Sequence, residues 1–490
     1  MSAWAVVVYI VGSQRGRSDL TASGDRAIHV VAATTLIAML VLLAGLLRHD
    51  FSMRYVATYS SINLPRPYLV SALWSGQRGS LLLAAVFLSA LSVAVIAGRP
   101  RVTHRVHETM LSLVLVVALA ALCLGLDPLG GLNWVPVDGI GMRPALQSPA
   151  AVLFPPMLIA AYATYVVAGT RALEAILAGS IDRAGIDAIT RWSVAAWALN
   201  TLGLVAGTWW AYRAPGRASA WTMFPVETGA ILPWLAVTTF LGTLMITNGR
   251  RPMPGWSFSL VAGAMLLAGP SAALTTAAVA GGAASAARSG FFIAACVAVA
   301  AAIGACAFLA QKRVNTMPVA ARERRTYGIV LVGVSVVMIV ASIGGYFFRT
   351  ESTARVSVSN PAALTDAIGA EWTLVSQGLS SFNALNRQVT AVGLEVLREN
   401  SSAGLLSAEI RQYLDVQGEP VFQPSPQPAV RSSLREDLYV VLREIGEDDS
   451  VQLSITINPL MSWLWIGAMV LVIGGVLATW PLSSGEQLHE

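Results

Sequence analysis

Ten apolar runs dominate this sequence of 490 residues, and each is long enough to cross a lipid bilayer as an α-helix. Only 12% of the residues are charged, about half of the roughly 25% that is typical of soluble domains. The composition excludes a soluble enzyme, a disordered chain and a coiled coil, and it predicts a multi-span membrane protein. The runs occupy residues 27–48, 80–97, 109–126, 151–169, 192–212, 229–247, 256–275, 290–310, 327–347 and 459–480.

Residues 348–458 differ from the apolar runs because they hold many of the charged residues. The stretches 356–358, 388–396 and 451–457 alternate polar and apolar residues, which predicts short β-strands. The Pro-, Gln- and Ser-rich stretch 417–428 predicts a loop. The predicted fold is an all-α multi-span membrane bundle of about ten transmembrane helices, with a small β-rich extracytoplasmic domain inserted before the last helix.

The distribution of basic residues predicts the side on which each loop lies, because cytoplasmic loops carry an excess of Lys and Arg. With the N-terminus inside, the inside segments hold more basic residues than the short outside loops. Both termini are therefore predicted to be cytoplasmic. The predicted parts are a cytoplasmic segment (1–26), a transmembrane bundle (27–347), an extracytoplasmic β-rich domain (348–458), a last transmembrane helix (459–480) and a cytoplasmic tail (481–490).

The sequence lacks the residue patterns that several common protein functions require. The spans carry almost no ionisable residues, which disfavours ion-driven transport. P-loop, H-E-x-x-H, G-x-S-x-G and C-x-x-C motifs are missing, and the scattered arginines form no basic patch for nucleic acid. His104 and His107 are predicted to be solvated residues at a cytoplasmic helix end, and no metal site is predicted.

The distinctive residues fall in three predicted outside loops. They are Asp50, Trp74, Gly76 and Gly79 in the first loop, Asp138, Gly139, Arg143, Gln147, Pro155 and Pro156 in the second, and Trp209, Trp210, Tyr212, Arg213, Arg217, Trp221, Met223, Pro225, Glu227 and Trp234 in the third.

The aromatic residues of the third loop allow two interpretations. Trp and Tyr at a membrane boundary are commonly interfacial anchors. Three Trp and one Tyr on one outside loop could instead form a surface for a flat apolar ligand. Glu227 is expected to pair with Arg213 or Arg217, or to lie at a helix N-terminus, where a carboxylate is favoured.

The loop motifs resemble those of the CcmF family of cytochrome c maturation proteins. The resemblance includes D-F-S-x-x-Y-V-A at 50–57, W-x-G-x-x-G-S at 74–80 and D-G-x-G-x-x-P-x-L-Q at 138–147, followed by the double proline. The C-terminal part is similar over 409–413, 437–442 and 458–475. The resemblance implies a bacterial cytoplasmic (inner) membrane protein that takes haem as cofactor and presents it to apocytochrome c for thioether bonding to a C-x-x-C-H motif.

Four haem-ligating histidines of the family have no counterpart here. Phe154 stands before the double proline in place of one, the run 275–289 lacks another, and the two bundle positions fall near Gly242 and Gly333. Of the family's W-G-G-x-W-x-W-D-P-V-E-N motif, the core retains only Trp221. Haem iron needs an axial ligand, and His49 is the candidate replacement because it is the one histidine predicted outside.

The sequence leaves three functions open. The favoured one is a haem-free or weakly haem-binding scaffold or docking subunit in cytochrome c maturation. The alternatives are an active haem lyase component, which would be an enzyme, and a structural subunit of a membrane-bound respiratory complex. The expected partners are membrane lipids and either other maturation proteins, a CcmF-like paralogue or a respiratory complex, with apocytochrome c if the chain is active and no nucleic acid.

Overall fold

The computed structural model describes residues 1–98, 106–124, 127–179, 181–213, 225–247, 255–279, 323–366, 369–446 and 450–480. These residues form a helical bundle, a β-rich domain and a last helix. The helices are α1 (Ser2–Arg15), α2 (Ser18–Leu47), α3 (Arg54–Tyr59), α4 (Arg66–Ser71), α5 (Gln77–Ala97), α6 (Val106–Leu124), α7 (Pro149–Ala178), α8 (Arg183–Arg213), α9 (Pro225–Thr247), α10 (Trp256–Val279), α11 (Glu323–Tyr346) and α12 (Met461–Thr479).

Six of the described helices, α2, α5, α6, α7, α11 and α12, are long and apolar enough to cross a membrane. Helices α9 and α10 contain shorter apolar stretches, Gly229–Met245 and Trp256–Ala272. Helix α8 covers the predicted run 192–212 but is not one of the six, because polar and charged side chains interrupt its sequence. The run 290–310 lies outside the described residues. The multi-span helical bundle is thus confirmed, whereas the expected number of about ten spans is not.

Helix α7 lies at the centre of the bundle, where it packs against α5, α6, α8 and α10. It begins at Pro149, and the Ser148 hydroxyl caps it by accepting a hydrogen bond from the Ala151 N–H. At Gly169, an added Cβ would lie 2.3 Å from Met265 Cβ of α10, so this glycine lets the two helices approach closely.

The N-terminal residues are more ordered than the sequence predicts. Residues 1–26 were expected to form a cytoplasmic segment, but they fold into α1 and the start of α2. Helix α1 packs against α2 and α6, and its Tyr9 hydroxyl donates a hydrogen bond to Asp25 Oδ1 at 2.8 Å. The α1–α2 turn is made by Gly16, whose φ of 62° is in the left-handed region that favours glycine.

The β-rich domain consists of two antiparallel sheets between α11 and α12. One sheet has the strand order β1-β9-β8-β7 and the other β2-β3-β4-β5-β6. The strands are β1 (Thr350–Val356), β2 (Ala362–Thr365), β3 (Glu371–Ala384), β4 (Arg387–Arg398), β5 (Ser401–Tyr413), β6 (Ser425–Gln427), β7 (Ala429–Ser432), β8 (Glu436–Ile445) and β9 (Val451–Pro459).

The two sheets share a buried apolar core that includes Trp372, Leu394, Val440 and Ile455. This arrangement confirms a β-rich domain before the last helix. The expected strands at 388–396 and 451–457 lie within β4 and β9, whereas β1 already ends at Val356. The predicted loop 417–428 contains the short strand β6, because residues 425–427 pair with the end of β5.

Candidate functional site

Two loops form a layer at the end of the bundle from which the β-rich domain emerges. They are residues 48–76 and 127–148, which we call the loop layer. Four backbone hydrogen bonds of 2.8–3.0 Å connect them, among them the bond from the Ile140 N–H to the Ala57 carbonyl. Asp138 adds a side-chain connection, since its Oδ1 accepts the N–H groups of Ile62 and Gly139 at 2.9 and 2.7 Å. The D-G-x-G motif therefore joins the first loop to the second.

Tyr55 organises the turn into α5. Its hydroxyl lies 2.8 Å from the Ala72 carbonyl and accepts the Gly76 N–H at 3.1 Å. Burial raises the pKa of this hydroxyl, which keeps it neutral and able to donate. An added Cβ at Gly76 would meet the Tyr59 ring at 2.4 Å, and one at Gly79 would meet the Leu73 carbonyl at 1.9 Å. The glycines of the W-x-G-x-x-G-S motif are thus required by close packing.

The other family-motif positions of the loop layer have individual contacts. Trp74 is half-buried, and its indole N–H points to the Ala151 carbonyl at 3.4 Å. Asp50 is exposed, and its Oδ1 accepts the Ser52 N–H. Arg143 is exposed at the start of a short 3-10 helix.

The β-rich domain contacts the loop layer through the β3–β4 turn. Asn386 of this turn donates a hydrogen bond to Gln147 Oε1 at 3.0 Å, and Gln147 in turn donates to the Met142 carbonyl at 2.8 Å. Both amide side chains are buried. A small open cleft lies beside this contact, lined by Gly141, Met142, Tyr413 and Phe422 among others.

A second contact connects the β-rich domain to the end of α8. The Tyr212 hydroxyl donates to Asp437 Oδ2 at 3.3 Å and accepts from Asn458 Nδ2 at 3.1 Å. The Tyr212 ring also packs on Tyr439, with 5.2 Å between the ring centroids. Burial raises the pKa of the Asp437 carboxyl, and the hydrogen bonds that it accepts offset part of this rise.

The raised pKa of the Asp437 carboxyl predicts that the effect of Asp437→Asn on stability depends on pH. Because its pKa is raised in the folded protein, the folded state binds the proton more tightly than the unfolded state does. The stability that this carboxyl contributes is therefore fully present below its pKa in the unfolded state. It is lost as the pH rises through its pKa in the folded state. The substituted amide keeps an acceptor for Tyr212 without charge, so we expect the variant to gain stability over the wild type as the pH rises from 4 to 8, by at most about 3 kcal/mol.

The measurement is the thermal unfolding midpoint of both proteins in detergent across that pH range. Midpoints that change in parallel would contradict the prediction. Asp437→Leu provides the control, since it leaves the buried Tyr212 hydroxyl without its acceptor and should be destabilised at every pH.

The aromatic residues of the third predicted loop that the structure describes lie on helices and have different neighbours. Trp210 is buried, donates to the Ala145 carbonyl at 2.6 Å and packs on Phe154 with 5.2 Å between ring centroids. Trp234 of α9 donates to Thr201 Oγ1 at 2.8 Å. Trp209 is half-buried, with the Arg213 guanidinium 5.5 Å from its ring centroid. Trp209, Trp210 and Trp234 thus each contact a different partner, and the role of the third-loop aromatic residues in ligand binding stays a prediction.

The structure describes only some of the other residues of the third predicted loop. Arg217, Trp221 and Met223 lie outside the described residues. Pro225 and Glu227 lie in the first turn of α9. The expected pairing of Glu227 therefore stays a prediction.

Phe154, Pro155 and Pro156, which were counted with the second outside loop although the predicted run 151–169 includes them, belong to the helix. All three lie in the second turn of α7, where Phe154 and Pro155 are buried. The helix starts earlier than the sequence suggested because Ser148 caps it and Pro149 occupies its first position, where proline is tolerated.

His107 is buried, so its predicted position in solvent is wrong. Its Nδ1 lies 2.8 Å from the hydroxyl oxygen of Thr170 on α7. The next residue of α7, Arg171, forms an ion pair with Glu174. The reason is that α6 packs between α1 and α7 from its first turn. His104 lies outside the described residues, and its predicted solvation stays a prediction.

His49, the candidate ligand, lies just after α2 with a φ of 53°. Its Nδ1 is buried without a hydrogen-bond partner, and its ring centroid is 6.1 Å from that of Phe51. Within the part of the chain that the structure describes, no three His, Cys, Asp or Glu residues are grouped so as to hold a metal ion.

Comparisons with known proteins give a consistent result. The family model described as "Cytochrome C assembly protein" matches residues 74–267. The chain is 35% identical over 230 residues to the cytochrome c-type biogenesis protein CcmF of Pseudomonas aeruginosa, covering 45% of this chain and 34% of that protein. It is 31% identical over 260 residues to CcmF of Escherichia coli, covering 52% and 40%. The probable biogenesis protein NrfE of Escherichia coli is 33% identical over 239 residues, covering 47% and 43%.

A solved structure described as "Cytochrome c Heme Lyase CcmF" shares the fold of almost the whole chain. The TM-score is 0.72 at 17% identity, with 98% of this chain and 95% of that chain covered. The sequence matches to the curated relatives cover less than half of the length of each relative.

Proposed function

We propose that this chain is a haem-free or weakly haem-binding scaffold or docking subunit of a membrane complex in cytochrome c maturation. The proposal starts from its membership of the CcmF family of cytochrome c-type biogenesis proteins. The chain is an integral membrane protein. The observation that carries the proposal is the packing of Phe154. Where the family has a histidine before the double proline, this ring is fully buried against Trp210.

The residues present fit an axially ligated haem poorly. A phenylalanine has no atom that can ligate iron, and the positions nearest the two bundle histidines of the family are glycines, Gly242 and Gly333. His49 supports the alternative of an active haem lyase component, because its Nδ1 is buried without a hydrogen-bond partner.

The scaffold role is supported by the contacts of the family-motif residues. Gly76, Gly79, Asp138 and Gln147 hold the loop layer together or attach it to the β-rich domain, and these contacts need no cofactor. We place the β-rich domain and the loop layer outside the bacterial cytoplasmic membrane and both termini in the cytoplasm, following the bias of the basic residues.

Haem content tests the proposal. The protein purified in mild detergent is expected to show no stoichiometric Soret band, with or without added haem. Near-stoichiometric haem that is lost in His49→Ala would overturn the proposal in favour of the haem lyase alternative. His29→Ala is the matched control, since His29 lies on α2, the helix that precedes His49, is exposed and has its Nδ1 2.8 Å from the Asp25 carbonyl oxygen.

Co-purification tests the pathway. A scaffold in cytochrome c maturation should bring down other maturation proteins or a CcmF-like paralogue from mildly solubilised membranes. Recovery of respiratory-complex subunits alone would support the structural alternative instead. Asn386→Ala, which removes the hydrogen bond to Gln147, should reduce the recovery of any partner that needs the docked β-rich domain.

A further inference from the structure

The second loop of the loop layer contains an exposed apolar stretch. Residues 128–137, which we call the apolar segment, include no charged residue. Trp134 is 74% exposed, Val135 is 55% exposed and Val137 is 81% exposed. Large apolar side chains that are grouped in solvent usually mark a surface that binds a protein or a membrane. The described residues leave these three side chains uncovered, so we expect them to face another surface.

The apolar segment begins beside the end of a membrane-spanning helix. Residues 30–47 of α2 are uncharged and span about 27 Å at about 1.5 Å per residue, close to the thickness of about 30 Å of the hydrocarbon core. The edge of the core therefore falls near Leu47. Met53 packs on this last turn of α2, where its Sδ would lie 2.6 Å from a Cβ added at Gly45. Met53 also pairs with Gly131 in an isolated β-bridge, which places Gly131 close to the edge of the bilayer.

Two other spanning helices have their ends at the same level. The stretch of α6 that can cross the membrane ends at Cys123, four residues before Asp127. In the first turn of α5, Arg78 Nη1 lies 3.4 Å from the Asp127 carbonyl oxygen. The apolar segment is therefore held beside the ends of α2, α5 and α6. Trp134 lies at most about 11 Å along the chain from Gly131, so its side chain can reach the interfacial region, which is about 5–7 Å deep on each side of the core.

Two arginines flank the start of the apolar segment. The Arg54 N–H donates to the Gly130 carbonyl at 2.9 Å, and the Arg54 side chain is exposed, whereas Arg78 is half-buried. Within the part of the chain that the structure describes, neither guanidinium forms an ion pair with a carboxylate. The nearby Asp127 carboxylate instead accepts the Leu129 N–H at 2.9 Å. Guanidinium groups bind phosphate well, so two of them beside an apolar segment match the phosphate and acyl-chain layers of a lipid surface.

We propose that Trp134 and Val137 of the apolar segment insert into the interfacial region of the bilayer leaflet that adjoins the loop layer. Arg54 and Arg78 bind the phosphate group of a phospholipid in the same leaflet. A lipid surface fits better than a protein partner, because three spanning helices end beside the segment and exposed apolar surface continues to it from Leu47. Tryptophan is enriched at this depth, since its ring is apolar and its N–H is polar. The contact fixes the height of the loop layer above the membrane, whether or not the protein binds haem.

Two single-cysteine variants of the full-length protein test the insertion. Both carry alanine in place of Cys123, Cys296 and Cys306, and one adds Val137→Cys while the other adds Val358→Cys. The second is the matched control, because Val358 is 70% exposed and lies past the end of β1 that is farther from α11, about 20 Å along the strand. Each cysteine is labelled with an environment-sensitive fluorescent dye, and the protein is reconstituted into vesicles of phosphatidylcholine and phosphatidylglycerol.

Phosphatidylcholine that carries a nitroxide near the top of its acyl chain quenches a dye at the membrane interface, whereas iodide quenches a dye in water. We expect the nitroxide lipid to lower the fluorescence of the Val137→Cys protein about twofold and that of the Val358→Cys protein little, with the reverse order for iodide. Equal quenching of the two dyes by iodide, without quenching by the nitroxide lipid, would overturn the proposal and assign the apolar segment to a protein partner.

A second measurement tests the phosphate contact without cysteine variants. Phosphatidylglycerol added to the protein in detergent should raise its thermal unfolding midpoint, because a ligand that binds the folded state stabilises it. The rise should be lost in the double variant Arg54→Gln/Arg78→Gln and kept in Arg355→Gln, which changes an exposed arginine of β1. Glycerol phosphate at the same concentration should cause no rise, since it lacks acyl chains. An equal rise with glycerol phosphate would assign the arginines to free phosphate, and an unchanged rise in the double variant would remove them from the lipid contact, so either result would overturn the proposed site.

Discussion

Gly79→Ala is expected to prevent the bundle from folding, although alanine is normally the better helix former. Gly79 lies in the first turn of α5, where the intrinsic preference for alanine is about 1 kcal/mol. An added Cβ would lie 1.9 Å from the Leu73 carbonyl oxygen and 2.4 Å from the Tyr55 hydroxyl oxygen. The Leu73 carbonyl belongs to the backbone and cannot rotate away, so the turn before α5 must move and the hydrogen bonds of Tyr55 must break.

We expect a loss of about 4 kcal/mol or more, which is a large part of the roughly 5–15 kcal/mol that stabilises a typical protein. The measurement is the amount of monodisperse protein recovered from membranes, together with its thermal unfolding midpoint. Gly131→Ala is the control within the same loop layer, because its Cβ would meet only the Ser52 carbonyl oxygen at 3.8 Å. Normal recovery of Gly79→Ala would show that the turn is not rigid and would contradict the structural role of this glycine.

Hydropathy predicted where the long apolar helices lie but not the polar contacts between them. The runs within α2, α5, α6, α7, α11 and α12 were predicted because each holds a long, almost uninterrupted series of apolar residues. Helix α8 contains the predicted run 192–212, but Asn200 and Thr201 of this run are buried inside the bundle and bonded to neighbouring helices, which the apolar pattern did not indicate. Such bonds depend on helices that are distant in sequence.

The site was predictable as a set of motifs but not as a set of contacts. The sequence singled out Gly76, Gly79 and Asp138, and the structure explains the two glycines by close packing and Asp138 by its hydrogen bonds to backbone N–H groups. It did not single out Tyr55 or Asn386, which organise the same layer. Tyr55 stands within the first-loop motif, and that was its one signal in the sequence. Asn386 had no signal, because its partner Gln147 is 239 residues away.

Trp210→Ala is expected to destabilise the protein by about 3–5 kcal/mol, the usual cost of removing a buried aromatic side chain. Its indole is only 8% exposed, lies against Phe154 and donates to the Ala145 carbonyl, so the variant loses apolar contacts and leaves a buried acceptor unpaired. Trp210→Phe retains most of the ring contacts and should lose only about 0.5–1.5 kcal/mol, the net value of the hydrogen bond. Thermal and denaturant unfolding of the three proteins in detergent measures both differences.

Trp209→Ala separates this structural role from a ligand-binding surface. Trp209 is the neighbour of Trp210 in sequence, but it is half-buried and its ring lies against the exposed Arg213, so its removal should cost about 1 kcal/mol or less. If the two tryptophans formed one surface for a flat ligand, both alanine variants would lose partner recovery equally while unfolding like the wild type. A loss of stability confined to Trp210→Ala would assign the Trp210 indole to the packing of α8 against α7 and the loop layer. A ligand surface that is open to solvent does not require a buried hydrogen bond to the Ala145 carbonyl, whereas the packing of these elements does.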